Sequence, residues 1–254
     1  RETMLEIASG NQNLRAKETG AHELREVTRQ FNAMLDQIDQ LMADIRRQEE
    51  TTRQYQLQAL SSQINPHFLY NTLDTIIWMA EFQDSQRVVQ VTKSLATYFR
   101  LALNQGKDLI CLSDEINHVR QYLFIQKQRY GDQLEYEIAE NPAFDKLVLP
   151  KLVLQPLVEN ALYHGIKEKE GQGHIRVSVQ KHDSGLVIRI EDDGVGFQDA
   201  SDSSQSQLKR GGVGLQNVDQ RLKLHFGEHY QMKIDSIPSK GTTVEIYINR
   251  IETS

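Results

Sequence analysis

Apolar residues in the N-terminal part of the chain recur three and four residues apart, which is the period of an amphipathic helix. From Leu24 to Ile45 the spacing alternates between three and four, as it does along the seam of a two-stranded coiled coil. Residues 46–56 are almost wholly polar, and the seam resumes at Leu57 about one position out of phase. This break predicts a helical linker, either a point where the supercoil changes locally or a plain solvated spacer.

Two amphipathic helices with broad apolar faces are predicted next, over residues 57–83 and 85–104. Pro66 interrupts the first helix, because proline lacks the N–H of a helical hydrogen bond and its ring crowds the preceding turn. His67 follows this kink directly, either as an ordinary solvated histidine or as a functional one. Two antiparallel helices of this kind would leave apolar surface exposed in a monomer, so we expect a homodimer held by a four-helix bundle.

The pattern changes after Gly131, which ends a third predicted helix at residues 113–130. Strands are predicted at residues 134–138, 175–179, 186–190, 232–235 and 242–248. Two more helices are predicted at residues 152–167 and 213–226. The predicted fold class is therefore α+β. An N-terminal coiled coil and helical hairpin precede an α/β sandwich with helices on one face of a sheet.

Composition narrows the function classes. The 254 residues carry a formal net charge of −6 without a basic block, which argues against nucleic acid as the main partner. Cys111 is the only cysteine, so a disulfide framework and a cysteine-based metal site are excluded. No apolar run approaches the ~18 residues that span a bilayer. Because the chain begins at Arg1 rather than at methionine, we expect it to be an excised fragment.

Four polar and glycine-containing patches follow one another in the second half. They cover residues 154–165, 191–197, 211–215 and 240–243. Glycines let the backbone approach a ligand and free N–H groups for phosphate oxygens, and Gly212 and Gly214 precede a helix whose N-terminus favours an anion. Asp192 can accept a hydrogen bond from an exocyclic amine, and the Asn160 amide oxygen suits Mg²⁺. Together the patches predict a nucleotide pocket.

This set of motifs resembles the ATP-binding domain shared by gyrase, Hsp90-type chaperones, histidine kinases and MutL-type mismatch-repair proteins, over about residues 134–250. The resemblance implies that ATP binds with Mg²⁺, that Asn160 holds the metal and that Asp192 reads adenine. It makes residues 198–210 the ATP lid. The other binding residues that we expect are His164, Lys167, Gly194, Gly196, Gly212, Gly214, Leu215 and Thr243.

Several cationic residues have two open interpretations. His164 lies one helical turn after Asn160 and either contacts phosphate or packs against the fold. Lys167 either contacts phosphate or is solvated. Lys209 and Arg210, at the end of the lid, either neutralise the γ-phosphate or only add solubility.

The branches of this superfamily that hydrolyse ATP carry a glutamate four residues before the magnesium asparagine. Pro156 occupies that position here and cannot act as a base. Phosphoryl transfer to a side chain is then favoured over hydrolysis. His67 is the conspicuous acceptor, because a neutral imidazole has one nitrogen free to attack phosphorus.

With His67 included, the chain resembles the LytS/YesM-like class of bacterial sensor histidine kinases. Residues 66–71 match its phosphoacceptor motif, residues 154–165 match its asparagine box, and residues 23–34 resemble the second helix of a HAMP module. The resemblance implies autophosphorylation of His67 by ATP and transfer to an aspartate of a response regulator. Asn71, one turn after His67, would position water for a phosphatase reaction.

The resemblance also implies a domain order and a location. We expect a HAMP-like helix and coiled coil at 1–45, a helical linker at 46–56, dimerisation and phosphotransfer helices at 57–130, and the catalytic ATP-binding domain at 131–254. The chain would be the cytoplasmic part of a bacterial inner-membrane protein.

Histidine kinases usually carry an acidic residue directly after the phosphoacceptor, where this chain has Phe68. Glu115 and Glu159 are therefore the candidates for the base, each with a helix cap or a salt bridge as the alternative. Two other functions stay open: a serine-directed or regulatory kinase of the same superfamily, and a nucleotide-sensing dimeric scaffold. Trp78 is predicted in the core, and the remaining histidines are predicted on the surface: His22, His118, His174, His182, His225 and His229.

Overall fold

The computed structural model describes residues 25–38, 40–42, 44, 47–48, 66–103, 108–183, 185–197 and 212–249. The chain divides into two compact units, Arg1–Gln63 and Ile64–Ser254. In the first unit residues 25–38 are helical, as the coiled-coil pattern predicts. Among the helices that the structure describes, none has the length and apolar character needed to cross a membrane. The phase break before Leu57 and the predicted lid, with Lys209 and Arg210, lie outside the described residues.

The second unit contains the predicted helical hairpin, formed by α1 (Pro66–Glu81) and α2 (Ser85–Leu103). The turn is tight because Gln83 adopts a left-handed φ of 60° and the N–H of Asp84 donates back into the last turn of α1. Asp84 Oδ1 accepts the N–H of Arg87 and so caps the start of α2. The turn before Pro66, where the kink is predicted, lies outside the described residues.

A short ribbon and a long helix connect the hairpin to the sheet. β1 (Leu109–Cys111) pairs antiparallel with β3 (Val148–Pro150), and α3 (Leu112–Tyr130) precedes β2 (Leu134–Ala139) in the chain. The buried face of α3 joins one apolar core with the hairpin and the sheet. A domain boundary is predicted near residue 131, yet β1 and α3 precede that residue and pack with elements that follow it. The packing is therefore continuous across the predicted boundary.

A five-stranded mixed sheet forms the base of the unit. Its order is β2-β4-β5-β7-β6, where β4 is Gly173–His182, β5 is Gly185–Asp192, β6 is Tyr230–Ile237 and β7 is Gly241–Ile248. β2 and β4 are parallel, and the other neighbouring strands are antiparallel. Because side chains alternate along a strand, Ile188, Val244 and Ile246 lie on one face, where they are buried.

Helices cover this apolar face of the sheet. α4 (Gln155–Asn160) continues directly into a π-helical turn (Ala161–Ile166), and α5 (Gly212–Phe226) follows β5 in the chain. Leu157, Leu162 and Leu222 bury their side chains in the same core. The α+β class predicted from the sequence is confirmed.

Two predictions about burial are wrong. Trp78 is predicted in the core, but it is 65% exposed, because the neighbouring Met79 takes the buried position of that turn. The Trp78 ring lies instead against Phe82, with centroids 4.6 Å apart. His118 is predicted on the surface, but it is 1% exposed and stacks on Tyr98 with centroids 4.4 Å apart. It lies on the buried face of α3, three residues after Glu115.

Candidate nucleotide cavity and the helix that carries His67

A cavity of about 490 Å³ opens between α4, the ends of the central strands and the start of α5. That volume lies within the range of small-molecule sites, roughly 300–1,000 Å³. The lining residues come from α4 and its π-helical continuation, from β5 and the loop after it, and from α5, β6 and β7: Leu157, Asn160, Ala161, His164, Gly165, Glu168, Ile190, Asp192, Val195, Gly196, Phe197, Leu215, Ile234, Thr242 and Val244. The cavity therefore joins parts of all four sequence patches.

Asp192 places a carboxylate in the cavity wall at the end of β5. Burial raises its pKa to about 6, although the N–H groups of Gly194 and Thr242 donate to the carboxylate and oppose the rise. The Gly194 N–H lies 3.0 Å from Asp192 Oδ1. A carboxylate held in this way can accept a hydrogen bond from an exocyclic amine of a base.

Gly165 and Gly194 are needed because the backbone packs tightly beside Asp192. A Cβ on Gly165 would lie 2.5 Å from Asp192 Oδ1, and a Cβ on Gly194 would overlap the backbone of Gly165. The Val195 N–H also donates to the Gly165 carbonyl at 3.2 Å. Gly194 thus contributes close packing between the two motifs, and Gly196 is the glycine of this loop that lines the cavity.

The π-helical turn decides which residues after Asn160 reach the cavity. Asn160 and His164 both line the cavity, and the next lining residue is Glu168. Lys167 is exposed, with its Nζ 5.8 Å from the centroid of the Tyr163 ring. A π-helical turn holds more residues than an α-helical turn, so it moves the cavity-facing position from residue 167 to residue 168. Lys167 is not brought to the cavity.

The other predicted binding residues are placed as follows. Gly212 is the first residue of α5, and Leu215 lines the cavity one turn later. Gly214 is exposed next to Pro156, since a Cβ on it would lie 3.8 Å from that proline. Thr242 lines the cavity, whereas Thr243 is the next residue of β7 and so belongs to the opposite face of the sheet.

The residues present fit a magnesium ion that arrives with a nucleotide. Within the described ranges, no group of three or more histidine, cysteine, aspartate or glutamate residues could hold a metal alone. Mg²⁺ is commonly held by one or two protein oxygens, with water and substrate phosphates as its other ligands. The side chain of Asn160, in the cavity wall, carries a carboxamide oxygen of the kind that Mg²⁺ accepts as a ligand.

Glu159 lies on the side of α4 that faces the hairpin, and it does not line the cavity. The Gln155 side-chain amide donates to Glu159 Oε1 at 2.8 Å and contacts the Tyr98 hydroxyl of α2 at 2.7 Å. Burial raises the pKa of Glu159, and the hydrogen bond from Gln155 opposes that rise. The sequence did not predict the contact between Tyr98 and Gln155, because the two residues are distant along the chain and meet only in the fold.

His67 is exposed in the first turn of α1, while the next residue, Phe68, is 2% exposed. The Phe68 ring lies 4.8 Å from the ring of Tyr98 and 5.2 Å from that of Tyr122, measured between centroids. Asn71 is half-buried one turn after His67, and its Nδ2 is enclosed without a hydrogen-bond partner among the described residues. Of the described residues, those that line the cavity all lie outside α1 and α2.

Glu115 is excluded as the base for His67. Its side chain is fully buried, and both carboxylate oxygens accept backbone N–H groups from residues 152–154. This role is structural, but it differs from the two that the sequence left open for Glu115, a cap of its own helix and a salt bridge.

Three family models match the chain. They describe a HAMP domain at residues 1–40, a histidine kinase at residues 55–134 and a histidine kinase-, DNA gyrase B- and HSP90-like ATPase at residues 147–251. The fold and the cavity thus define an ATP-binding module of this ATPase type, which confirms the predicted binding of ATP. The chain belongs to the sensor histidine kinase family.

Two sensor histidine kinases and one further bacterial protein are similar to the chain. The chain is 32% identical to sensor histidine kinase YesM of Bacillus subtilis over 222 residues, which cover 87% of this chain and 38% of YesM. It is 32% identical to sensor histidine kinase BtsS of Escherichia coli over 206 residues, or 81% of this chain and 35% of BtsS. YwpD of Bacillus subtilis is 32% identical over 252 residues, covering 96% of this chain and 88% of YwpD. The chain therefore spans little more than a third of YesM and BtsS.

Among solved structures, the histidine kinase domain from Erythrobacter litoralis EL346 is similar, with a TM-score of 0.45 and 17% identity. The alignment covers 72% of this chain and 93% of that chain.

Proposed function

We propose that this protein is the kinase part of a two-component sensor, which phosphorylates its own His67 with ATP and passes the phosphoryl group to an aspartate of a response regulator. The observation that carries the proposal is the contrast between Pro156 and His67. Pro156 stands on the cavity helix where hydrolytic relatives carry a water-activating glutamate, so the cavity has no base there. An exposed imidazole lies in the same compact unit.

Different residues of the cavity bind different parts of the nucleotide. Asp192 accepts the exocyclic amine of adenine, and Leu157, Ile190 and Leu215 provide apolar walls for the base. Asn160 supplies an oxygen ligand to Mg²⁺, which neutralises charge on the phosphate oxygens when bound. His164 lines the cavity on the same side of the helix, where its ring can donate to a phosphate oxygen.

Transfer then needs little covalent help from the protein, because phosphoryl transfer depends mainly on positioning and charge neutralisation. A ring nitrogen of His67 attacks the γ-phosphorus, a new P–N bond forms, and the bond from phosphorus to the ADP oxygen breaks. The ring proton must leave, and Glu159 is the base that we propose. Its carboxylate faces the hairpin that carries His67, and burial raises its pKa, which favours proton acceptance.

A second copy of the chain completes the proposed kinase. Tyr70, Leu73 and Ile77 repeat three and four residues apart on α1 and are 67%, 41% and 56% exposed. A stripe of this kind supports the homodimeric four-helix bundle. In the first unit Val27 and Met34 are also exposed, as expected for a coiled-coil seam in a single chain without the second helix that would cover it. The response regulator, and a membrane anchor in the parent protein, complete the proposed system.

Phosphate chemistry tests the proposal directly. The protein is incubated with Mg²⁺ and ATP labelled at the γ-phosphate, and the label is exposed to acid and to base. Phosphohistidine is acid-labile and base-stable, so we expect that pattern. His67→Gln should abolish the label while ATP affinity is retained, whereas His229→Gln, at another exposed histidine, should leave it unchanged. An acid-stable label would indicate a serine-directed kinase. The absence of any label would indicate a nucleotide-sensing scaffold. A label that persists in His67→Gln would contradict the assignment of the acceptor.

A further inference from the structure

Glu115 is a buried carboxylate that the proposed reaction does not use. It lies in the first turn of α3 and is 0% exposed. Its Oε2 accepts the N–H of Leu152 at 2.8 Å, and its Oε1 accepts the N–H of Val153 at 2.7 Å and that of Leu154 at 2.8 Å. One side chain thus holds three consecutive backbone donors that are distant from it in sequence.

These three residues lead directly into α4, the helix that ends at Asn160. The first N–H groups of a helix have no partner within it, and a polar N-cap side chain usually accepts one of them. Leu154 occupies the N-cap position of α4, and its side chain makes no capping hydrogen bond. Glu115, from a different helix, instead accepts the N–H of Leu154 itself and those of the two residues before it, so it anchors the backbone that leads into α4.

The same segment has an unfavourable backbone conformation. Leu152 adopts a φ of 56°, which side-chain-bearing residues rarely take. Such a conformation persists only where the surroundings hold it in place. The hydrogen bond from the Leu152 N–H to Glu115 is one such contact, and the bond from the Lys151 N–H to the Asp108 carbonyl, at 3.0 Å, is another.

Asn160 lies at the far end of the helix that begins at this anchor. Asn160 lies about 9 Å along the helix axis from Leu154, at 1.5 Å per residue. Asp192 belongs to the sheet instead, so a shift of the start of α4 changes the distance between the two cavity residues. A misplacement of about 1 Å in a reactive arrangement can lower a rate by roughly 100-fold.

We infer that Glu115 is a positioning residue, which holds the backbone of residues 152–154 and thereby sets Asn160 at the place that Mg²⁺-bound ATP requires. The inference rests on the proposed binding of the metal by Asn160. It goes beyond that proposal, because it assigns control of the metal ligand to a side chain of α3 that touches neither nucleotide nor metal.

The test compares Glu115→Gln with Asp114→Asn, an exposed carboxylate in the same turn. ATP affinity is measured calorimetrically in the whole chain, with Mg²⁺ and with EDTA, at a temperature where circular dichroism shows the native fold. For Glu115→Gln we expect the affinity in EDTA to stay within about twofold of wild type, because Asp192 is untouched. The ratio of the affinities with and without Mg²⁺ should fall toward one, and the autophosphorylation rate should fall roughly 10- to 100-fold. Asp114→Asn should behave as wild type.

A merely structural role for Glu115 would lower the melting temperature but leave the Mg²⁺ ratio and the rate unchanged in the folded variant. That result would overturn the inference. If Glu115→Gln does not fold, the α-hydroxy analogue of valine at position 153 removes a single N–H donor. An unchanged Mg²⁺ ratio in that protein also overturns it. A wild-type protein that binds ATP without labelling His67 would refute the proposed kinase activity, while the affinity ratio would still test the role of Glu115.

Discussion

Asp192→Asn should stabilise the folded protein while it weakens ATP binding. Burial raises the pKa of Asp192 from 3.8 to about 6, so the folded state holds the proton more tightly than the unfolded state does. The free energy of unfolding therefore falls as the pH rises from about 4 to about 6, and it stays at the lower level above that window. Asparagine removes the charge whose burial is unfavourable and keeps the shape of the side chain.

The magnitude follows from the pKa. A change of one in pKa corresponds to about 1.4 kcal/mol, so an ionised Asp192 at pH 7 costs the folded state at most about 3 kcal/mol. The carboxamide of the Asp192→Asn variant would keep an oxygen that accepts the Gly194 N–H. Its NH2 group would face the other backbone N–H donor, so that one hydrogen bond of the carboxylate would be lost. We therefore expect a net gain of about 1–2 kcal/mol, or roughly 2–8 °C in Tm. Loss of the charged acceptor for adenine should cost about 1.5–3 kcal/mol of binding, roughly 10- to 150-fold in Kd.

Thermal unfolding without nucleotide, at pH 7.5 and at pH 4.5, measures the first effect, and calorimetric titration with ATP measures the second. The gain in stability should be present at pH 7.5 and should shrink at pH 4.5, where wild-type Asp192 is protonated. Asp183→Asn, at a carboxylate that is 86% exposed, is the control and should show no such gain. A variant that is less stable than wild type at pH 7.5, or a gain that does not depend on pH, would refute the reasoning.

Three further predictions concern the hairpin. Tyr98→Phe removes the hydroxyl that contacts Gln155 at 2.7 Å and should lower the free energy of unfolding by about 0.5–1.5 kcal/mol in urea titrations; equal stability would mean that the bond contributes nothing. Asn71→Ala should still autophosphorylate but should dephosphorylate its response regulator at least several-fold more slowly, and equal rates would rule out a role in positioning water. Ile77→Glu places a charge on the exposed stripe of α1 and should shift micromolar protein from dimer to monomer in light scattering, whereas an unchanged mass would contradict the proposed bundle.

Local patterns predicted the elements and much of the cavity. The hairpin and the strands could be predicted because helical and alternating periods repeat within a few residues. Asn160, His164, Asp192, Gly196 and Leu215 could be predicted to share a cavity because their motifs occur in a specific order along the chain, and the structure places all five in its wall.

The errors arise where geometry decides between neighbouring residues. Thr242 and not Thr243 lines the cavity, because a strand reverses the side of its side chains at every residue. Lys167 gives way to Glu168 because a π-helical turn shifts the facing position, and the sequence carries no clear signal for that turn. The role of Glu115 could not be predicted, since its donors are 37–39 residues away and are backbone groups without a sequence signature.

The continuous core of the second unit links the hairpin to the cavity in unfolding as well as in packing. Phe68 and Tyr98 of the hairpin belong to the same buried cluster as Tyr122 of α3 and the strands beneath α4. Separation of the hairpin from α3 would expose these rings to water, and each large apolar side chain so exposed costs roughly 1.5–3 kcal/mol. The hairpin and the nucleotide cavity should therefore lose their structure in one cooperative transition. A change that destabilises the hairpin should then also lower the free energy of unfolding of the cavity, even when no residue of the cavity is changed.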